Sequence, residues 1–131
     1  MTSALRLEPL RLEHLDGVMT WVNDPEVTFY FANLGRQISR EEEASYLKRL
    51  IASDVDIIYS VFWDNDYAGQ IGISQIYWPA GTGRIGMMLC RSHWGKGIAM
   101  EASKRLISLA FSEHGLNKLW VIIRSDNEKG L

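Results

Sequence analysis

Two glycines set one residue apart, in Trp94-Gly95-Lys96-Gly97-Ile98-Ala99, stand between a β-rich run and a helical one. The run before them, Arg84-Ile85-Gly86-Met87-Met88-Leu89-Cys90, reads as a buried strand, and Arg91-Ser92-His93 is a short connector. The residues after them open a long amphipathic helix. A strand, a glycine-bearing turn and a helix N-terminus together make an anion site: the first backbone N–H groups of a helix lack internal partners, and the helix dipole adds positive potential there. The dipole contributes only about 0.3–1 kcal/mol at an exposed site, so several N–H donors to one pyrophosphate must carry most of the binding. Two nucleotide readings are weakened by the spacing. Gly95-Lys96 is followed by Gly97, so the Ser or Thr of a Walker A loop is missing. A dinucleotide loop needs a small third residue where Met100 stands, and an acidic residue near position 117 that is not there.

The stretch resembles the coenzyme A loop of the GNAT superfamily of N-acetyltransferases, whose pattern is Gln/Arg-x-x-Gly-x-Gly/Ala. Here Trp94 takes the Gln/Arg place, as in the branch resembling ribosomal-protein-alanine and polyamine acetyltransferases. The opening runs Leu5-Arg6-Leu7-Glu8-Pro9-Leu10 and Trp21-Val22-Asn23-Asp24-Pro25-Glu26-Val27 are similar to the first strand and helix of that branch. Near the end, Asn117-Lys118-Leu119 through Asn127 match again, with Asn127 in the place of a coenzyme-contacting Asn.

The resemblance implies acetyl transfer from acetyl-coenzyme A to a primary amine by direct attack, in a ternary complex. The pantetheine arm would lie along Met88, Leu89 and Cys90, and the pyrophosphate on the amides of Gly95, Lys96, Gly97, Ile98 and Ala99. Lys96 either adds charge or is a solvated lysine. The acceptor would be held by the first two helices, with Trp21, Asn23, Asp24, Glu26 and Tyr30 as candidates. Asp24 and Glu26 could hold a cationic amine, although Asn23-Asp24-Pro25 also reads as helix-stop chemistry. The alternative is a non-catalytic coenzyme A-binding or interaction module derived from the same fold.

No catalytic residue is identified. Many relatives carry a Glu just before the Ile-Gly of the central strand, where this chain has Arg84. His93 reads as a surface or packing residue, His14 and His114 sit in helix-end contexts, and Cys90 reads as a small core residue rather than a nucleophile. No metal is expected.

The elements that must position these residues follow from periodicity. Leu5 to Leu12 alternates and reads as an edge strand because of Pro9. Glu13 to Val22 has helical spacing, and Glu26 to Ala32 is a short second helix. Ser39-Arg40-Glu41-Glu42 is a capping box opening a helix to about Ser53 that buries Ala44, Leu47, Leu50 and Ile51. Glu41-Glu42-Glu43 reads as its solvated first turn. Strands are expected over 56–63, 67–78 and 84–90, with Asp64-Asn65-Asp66 as a turn. The helix from about Gly97 puts Ala99, Ala102, Leu106, Leu109 and Ala110 on one face and ends at Gly115. Lys118 to Arg124 is the last strand.

The order β α α β β β α β is that of a GNAT-like α/β (α+β) fold, a mixed and mostly antiparallel sheet flanked by helices. The family continues for further strands and a helix, with a Tyr that protonates the leaving thiolate. The expectation is therefore a single domain, 1–131, C-terminally incomplete. Its last strand would be covered by a second chain in a homodimer, since bare strand edges recruit partners.

Composition narrows the classes. The 131 residues suit one domain, and 14 basic against 16 acidic residues give a net charge of -2. No basic patch argues for nucleic acid, and no apolar run is long enough to span a membrane. A single cysteine allows no internal disulfide, which points to a reducing cytoplasm.

Overall fold

The computed structural model describes residues 4–28 and 37–121. Its frame is a five-stranded sheet in the order β1-β2-β3-β4-β5, with β1 Leu5–Pro9, β2 Ile57–Trp63, β3 Asp66–Tyr77, β4 Thr82–Leu89 and β5 Lys118–Trp120. The first three pairings are antiparallel and β4 pairs β5 in parallel. This is the mixed, mostly antiparallel sheet expected. The β2–β3 hairpin turns at Asp64 and Asn65, both at positive φ (50° and 70°), a pair whose twist matches the flanking strands.

β1 is an edge strand, as Pro9 foretells, but it ends at Pro9 rather than Leu12. Leu10 is still tied to the sheet by its N–H to Ile58 O, and Leu12 opens a 3₁₀ turn, Leu12–His14. The single helix expected over 13–22 is shorter: α1 covers Leu15–Met19. The Thr20 hydroxyl donates to Gly17 O, taking up a carbonyl that the next turn would need, and Trp21 N and Val22 N both close on Val18 O. α2 is Pro25–Thr28; the rest of the segment read as a second helix lies outside the described residues.

α3, Arg40–Ala52, has the capping box: Glu42 N–H donates to Ser39 Oγ and Ser39 N–H to Glu42 Oε1, both at 3.1 Å. Its buried face corrects two expectations. Ile51 is 47% exposed, whereas Glu43 is only 4% exposed. Glu43 and Leu47 are one turn apart and share the inward face, while Ile51, eight residues from Glu43, has rotated about 80° away. Ala44 and Leu50 are partly buried at its margins.

α4, Ile98–Ser112, buries Ile98, Ala102, Leu106 and Ala110, an i, i+4 stripe. That stripe starts at Ile98, so Ala99 is exposed and Leu109 only partly buried. Gly115 follows with φ +68 and ends the helix as expected. Of the last expected strand, β5 takes Lys118–Trp120, and residues 122–131 lie outside the description.

The helices lie on both faces of the sheet. α4 packs with Leu5, Val61, Ala68, Ile71, Ile73 and Ile76 in one core; α1 and α3 build a second around Leu10, Leu15, Val18, Trp21, Leu47 and Cys90.

The buried His14 joins the 3₁₀ turn to β2. Its Nδ1 accepts from Arg11 N at 3.3 Å and lies 2.6 Å from Ser60 Oγ, which fits a neutral ring with its proton on Nε2. Burial, then the nearby Arg11 charge, lower its pKa below 6.5. Below that value the unfolded chain takes up a proton that the folded chain refuses. Stability is therefore expected to fall as pH drops below 6.5, and His14→Gln to flatten that slope, as read by urea midpoints at neutral and mildly acidic pH.

Candidate functional site

The site is built where β4 ends. Cys90 N donates to Ala68 O at 2.8 Å, keeping the chain on β3 for one residue more. A 3₁₀ turn at Arg91–His93 then lifts it off the sheet, and Trp94 Nε1 reaches back to Leu89 O at 3.0 Å. Gly95 and Gly97 both lie in the left-handed region, φ +78 and +77. A Cβ at either would meet no atom within 4 Å, so glycine is required there by the backbone angle and not by crowding.

Gly97 is the N-cap of α4 and no side chain caps it. The first helical bond runs from Glu101 N to Gly97 O. The N–H groups ahead of Glu101 therefore point off the helix end, beside the exposed Lys96. A doubly charged phosphate placed here would meet converging N–H donors and the positive end of a 15-residue helix.

The flank of β4 that leads to this loop is open. β5 pairs only with Thr82, Gly83 and Arg84, so from Ile85 to Leu89 no described strand covers that side. Leu89 packs toward the α4 core and Met88 toward the α1–α3 core. The backbone edge, more than the Met88 and Leu89 side chains, is what faces a ligand running along the strand.

Beyond it a cleft of about 510 Å³ is lined by Asp16, Gly17, Thr20, Asp24, Tyr67, Cys90, Arg91 and Ser92. At its rim Arg91 Nε donates to Asp24 Oδ2 at 2.7 Å, while Asp24 Oδ1 accepts from Glu26 N and so starts α2. Asp16 is exposed and paired with Arg40 at 2.6 Å. Deeper in, Trp21 Nε1 donates to Tyr67 Oη at 3.0 Å, and the Tyr67 ring lies flat against Gly17, where a Cβ would stand 2.6 Å from it. Burial pushes the Tyr67 phenol far above its ordinary pKa, so it stays protonated. Burial also raises the Cys90 thiol, against a contact of 3.3 Å with Thr20 Oγ1 that acts the other way.

The residues expected around the acceptor divide. Asp24 lines the cleft. Trp21 is 3% exposed and acts behind it, on Tyr67. Asn23 makes a two-way amide clasp with the backbone of Ile38 (2.9 and 2.7 Å), fixing the chain on either side of 29–36. Glu26 is exposed on α2. Tyr30, and Asn127 from the coenzyme set, lie outside the described residues. Cys90 both packs in the second core and lines the cleft. Sequence reading missed Tyr67 and Arg91; an arginine immediately after the central strand was the one available signal. Among the described residues no three His, Cys, Asp or Glu side chains are grouped to hold a metal, and no helix is long and apolar enough to cross a membrane.

A strand splayed from its parallel neighbour, a glycine loop at a helix N-terminus and an adjoining cleft define the architecture of a GNAT-type acetyltransferase. The family model described as an acetyltransferase (GNAT) domain matches residues 4–130, and the chain belongs to that family. It is 28% identical over 140 residues to a protein named uncharacterized N-acetyltransferase p20 of Bacillus licheniformis, covering 96% of this chain and 73% of the relative. A variant of spermidine N-acetyltransferase SpeG from Vibrio cholerae superposes with a TM-score of 0.82 at 18% identity, over 98% of this chain and 75% of that one. A dodecameric structure of the Vibrio cholerae spermidine N-acetyltransferase gives 0.78 at 16%, over 98% and 75%. At these identities the solved structures speak for the fold.

Proposed function

We propose that the chain is an acetyl-coenzyme A-dependent N-acetyltransferase acting on a primary amine by direct attack within a ternary complex. The observation that carries this reading is the pair of left-handed glycines at the N-terminus of α4, set beside the uncovered flank of β4. The pyrophosphate sits on the amides of Gly95, Lys96, Gly97, Ile98 and Ala99, next to Trp94. The pantetheine arm runs along Met88, Leu89 and Cys90, bonded to the β4 backbone, and Asn127 adds a contact. A β4 amide donates to the oxyanion of the tetrahedral intermediate.

The acceptor amine enters the cleft past Asp24, with Trp21 acting from behind through Tyr67 and with Asn23, Glu26 and Tyr30 as further residues proposed for its recognition. Residues 1–131 belong to a single domain of this kind, working in a reducing cytoplasm. A second copy of the chain covers β5, a reading supported by the dodecameric neighbour. No step requires a metal. The test is thiol release from acetyl-coenzyme A, with spermidine and an alanine-starting tripeptide as acceptors. Amine-dependent release is expected; coenzyme binding without it would favour the binding-module reading.

A further inference from the structure

Three charged side chains line the cleft, Asp16, Asp24 and Arg91, and each of the two carboxylates already faces an arginine. Asp16 Oδ1 meets Arg40 at 2.6 Å. Asp24 Oδ2 accepts from Arg91 Nε at 2.7 Å, and its Oδ1 accepts from the backbone of Glu26 at 3.0 Å. The Asp24 side chain is only 14% exposed, so this carboxylate is held from two sides within the rim, whereas the Arg91 side chain is 57% exposed. An arginine carries five N–H donors in a planar fork, and the bond to Asp24 uses the one on Nε. The two terminal nitrogens of the fork are not engaged by that bond.

We infer that Arg91 holds a carboxylate of the acceptor, and that the amine acetylated here stands on the carbon next to that carboxylate, as in a free amino acid. This rests on the acetyl-transfer reading above and names the class of its acceptor. Arg91 directly follows Cys90, where the chain leaves β4. Its O accepts from Trp94 N at 3.1 Å, and Cys90 O accepts from His93 N at 2.9 Å, so its backbone is pinned between the strand and the glycine loop. A carboxylate on the fork therefore keeps the neighbouring nitrogen at the end of β4, beside the residues proposed to carry the pantetheine arm. The bond changes are those of acetyl transfer. The N–C bond forms and the C–S bond breaks; of the two protons that the ammonium gives up, one ends on the leaving sulfur and one in solvent.

Charge matching separates this acceptor from a polyamine. A polyamine brings two or more positive charges past Arg91 to carboxylates that arginines already match, and like charges brought together are penalised. The rest of the wall offers no further anion: the Tyr67 phenol stays protonated, and the Thr20 hydroxyl is spent on Gly17 O. A zwitterion adds no net charge, and its carboxylate meets the fork in the two-bond geometry that a planar guanidinium favours. Asp24 fixes the fork from behind, which makes it a positioning residue for Arg91. A site built to bond one group rejects an analogue that lacks it, because its own polar atoms are then left unpaired.

The experiment compares the wild type, Arg91→Met and Arg91→Lys. It follows acetyl-coenzyme A thiol release with each free L-amino acid, with the amide of every amino acid that reacts, and with putrescine and spermidine, alongside thermal melting and coenzyme titration. In the wild type, kcat/KM for the free amino acid is expected to exceed that for its amide by about tenfold or more, carried by KM, with the polyamines poorer still. Arg91→Met should bring acid and amide together by weakening the acid alone, at unchanged coenzyme affinity. Arg91→Lys keeps the charge but loses the fork, and should fall between the two. A purely structural role for the Arg91–Asp24 pair would lower all acceptors alike and leave the ratio intact. Equal wild-type rates for acid and amide, a preference for polyamines, or a ratio that survives in a folded Arg91→Met enzyme would overturn the inference and leave the acetyl-transfer reading standing. Should Arg91→Met fail to fold, the wild-type ratio and Arg91→Lys decide. A wild type that binds the coenzyme and releases no thiol with any acceptor would sink both.

Discussion

Replacing Gly97 with valine is expected to weaken acetyl-coenzyme A binding about tenfold or more while the sheet stays folded. Gly97 holds φ +77 as the N-cap of α4. An L-residue in the left-handed region costs about 1–2 kcal/mol, and a β-branched one is worse placed still. No neighbouring atom lies within 4 Å of the new Cβ, so nothing in the fold itself resists the change by clashing. The strain is relieved by letting φ turn negative, which swings the peptide units ahead of α4 and scatters the N–H groups of the loop. A hydrogen bond to a charged group contributes about 1.5–3 kcal/mol, so misdirecting one donor is enough for the tenfold loss. Calorimetry reads the affinity, and a melting curve shows whether the fold has survived. Unchanged affinity would mean that the pyrophosphate lies elsewhere.

The largest effect on stability is expected from Gly69→Ala in β3. A Cβ there would stand 2.1 Å from Met88 O and 2.8 Å from Leu89 Cα, both backbone atoms of β4 that no rotamer change can move. β3 and β4 would have to part at the end where Cys90 N is tied to Ala68 O. Overpacking of this kind costs about 3 kcal/mol or more, a large share of the about 5–15 kcal/mol that holds a domain together. Gly86→Ala on the facing strand is the control. That position is exposed and its Cβ meets nothing within 4 Å, so the substitution should be neutral or stabilising by up to about 1 kcal/mol. Urea unfolding of the two variants separates close approach from loss of glycine as such; equal destabilisation would contradict the argument.

What the residue pattern reveals and what it hides divide along range. The Trp94–Ala99 loop, the capping box at Ser39 and the end of α4 at Gly115 depend on a few consecutive residues, and all three stand where their spacing predicts. The α4 stripe is misplaced by one residue, because Ile98 and Ala99 are equally apolar and only the packed sheet chooses between them. Glu43 is hidden for a different reason. It is the third of three successive glutamates, a run that reads as a solvated turn, and α3 is covered only when α1 and β2 pack against it. Trp21 and Tyr67 are 46 residues apart, so their bond has no local signature. Asn23 carries a further contact that local pattern does not announce. Its amide clasps the backbone of Ile38, 15 residues away.

The central claim is that the glycine loop and the open flank of β4 take acetyl-coenzyme A, and titration of the folded chain with that compound tests it most directly. Saturable binding at one site per chain, lost in Gly97→Val, is the predicted result. A protein that melts cooperatively and takes up no acetyl-coenzyme A would contradict the account.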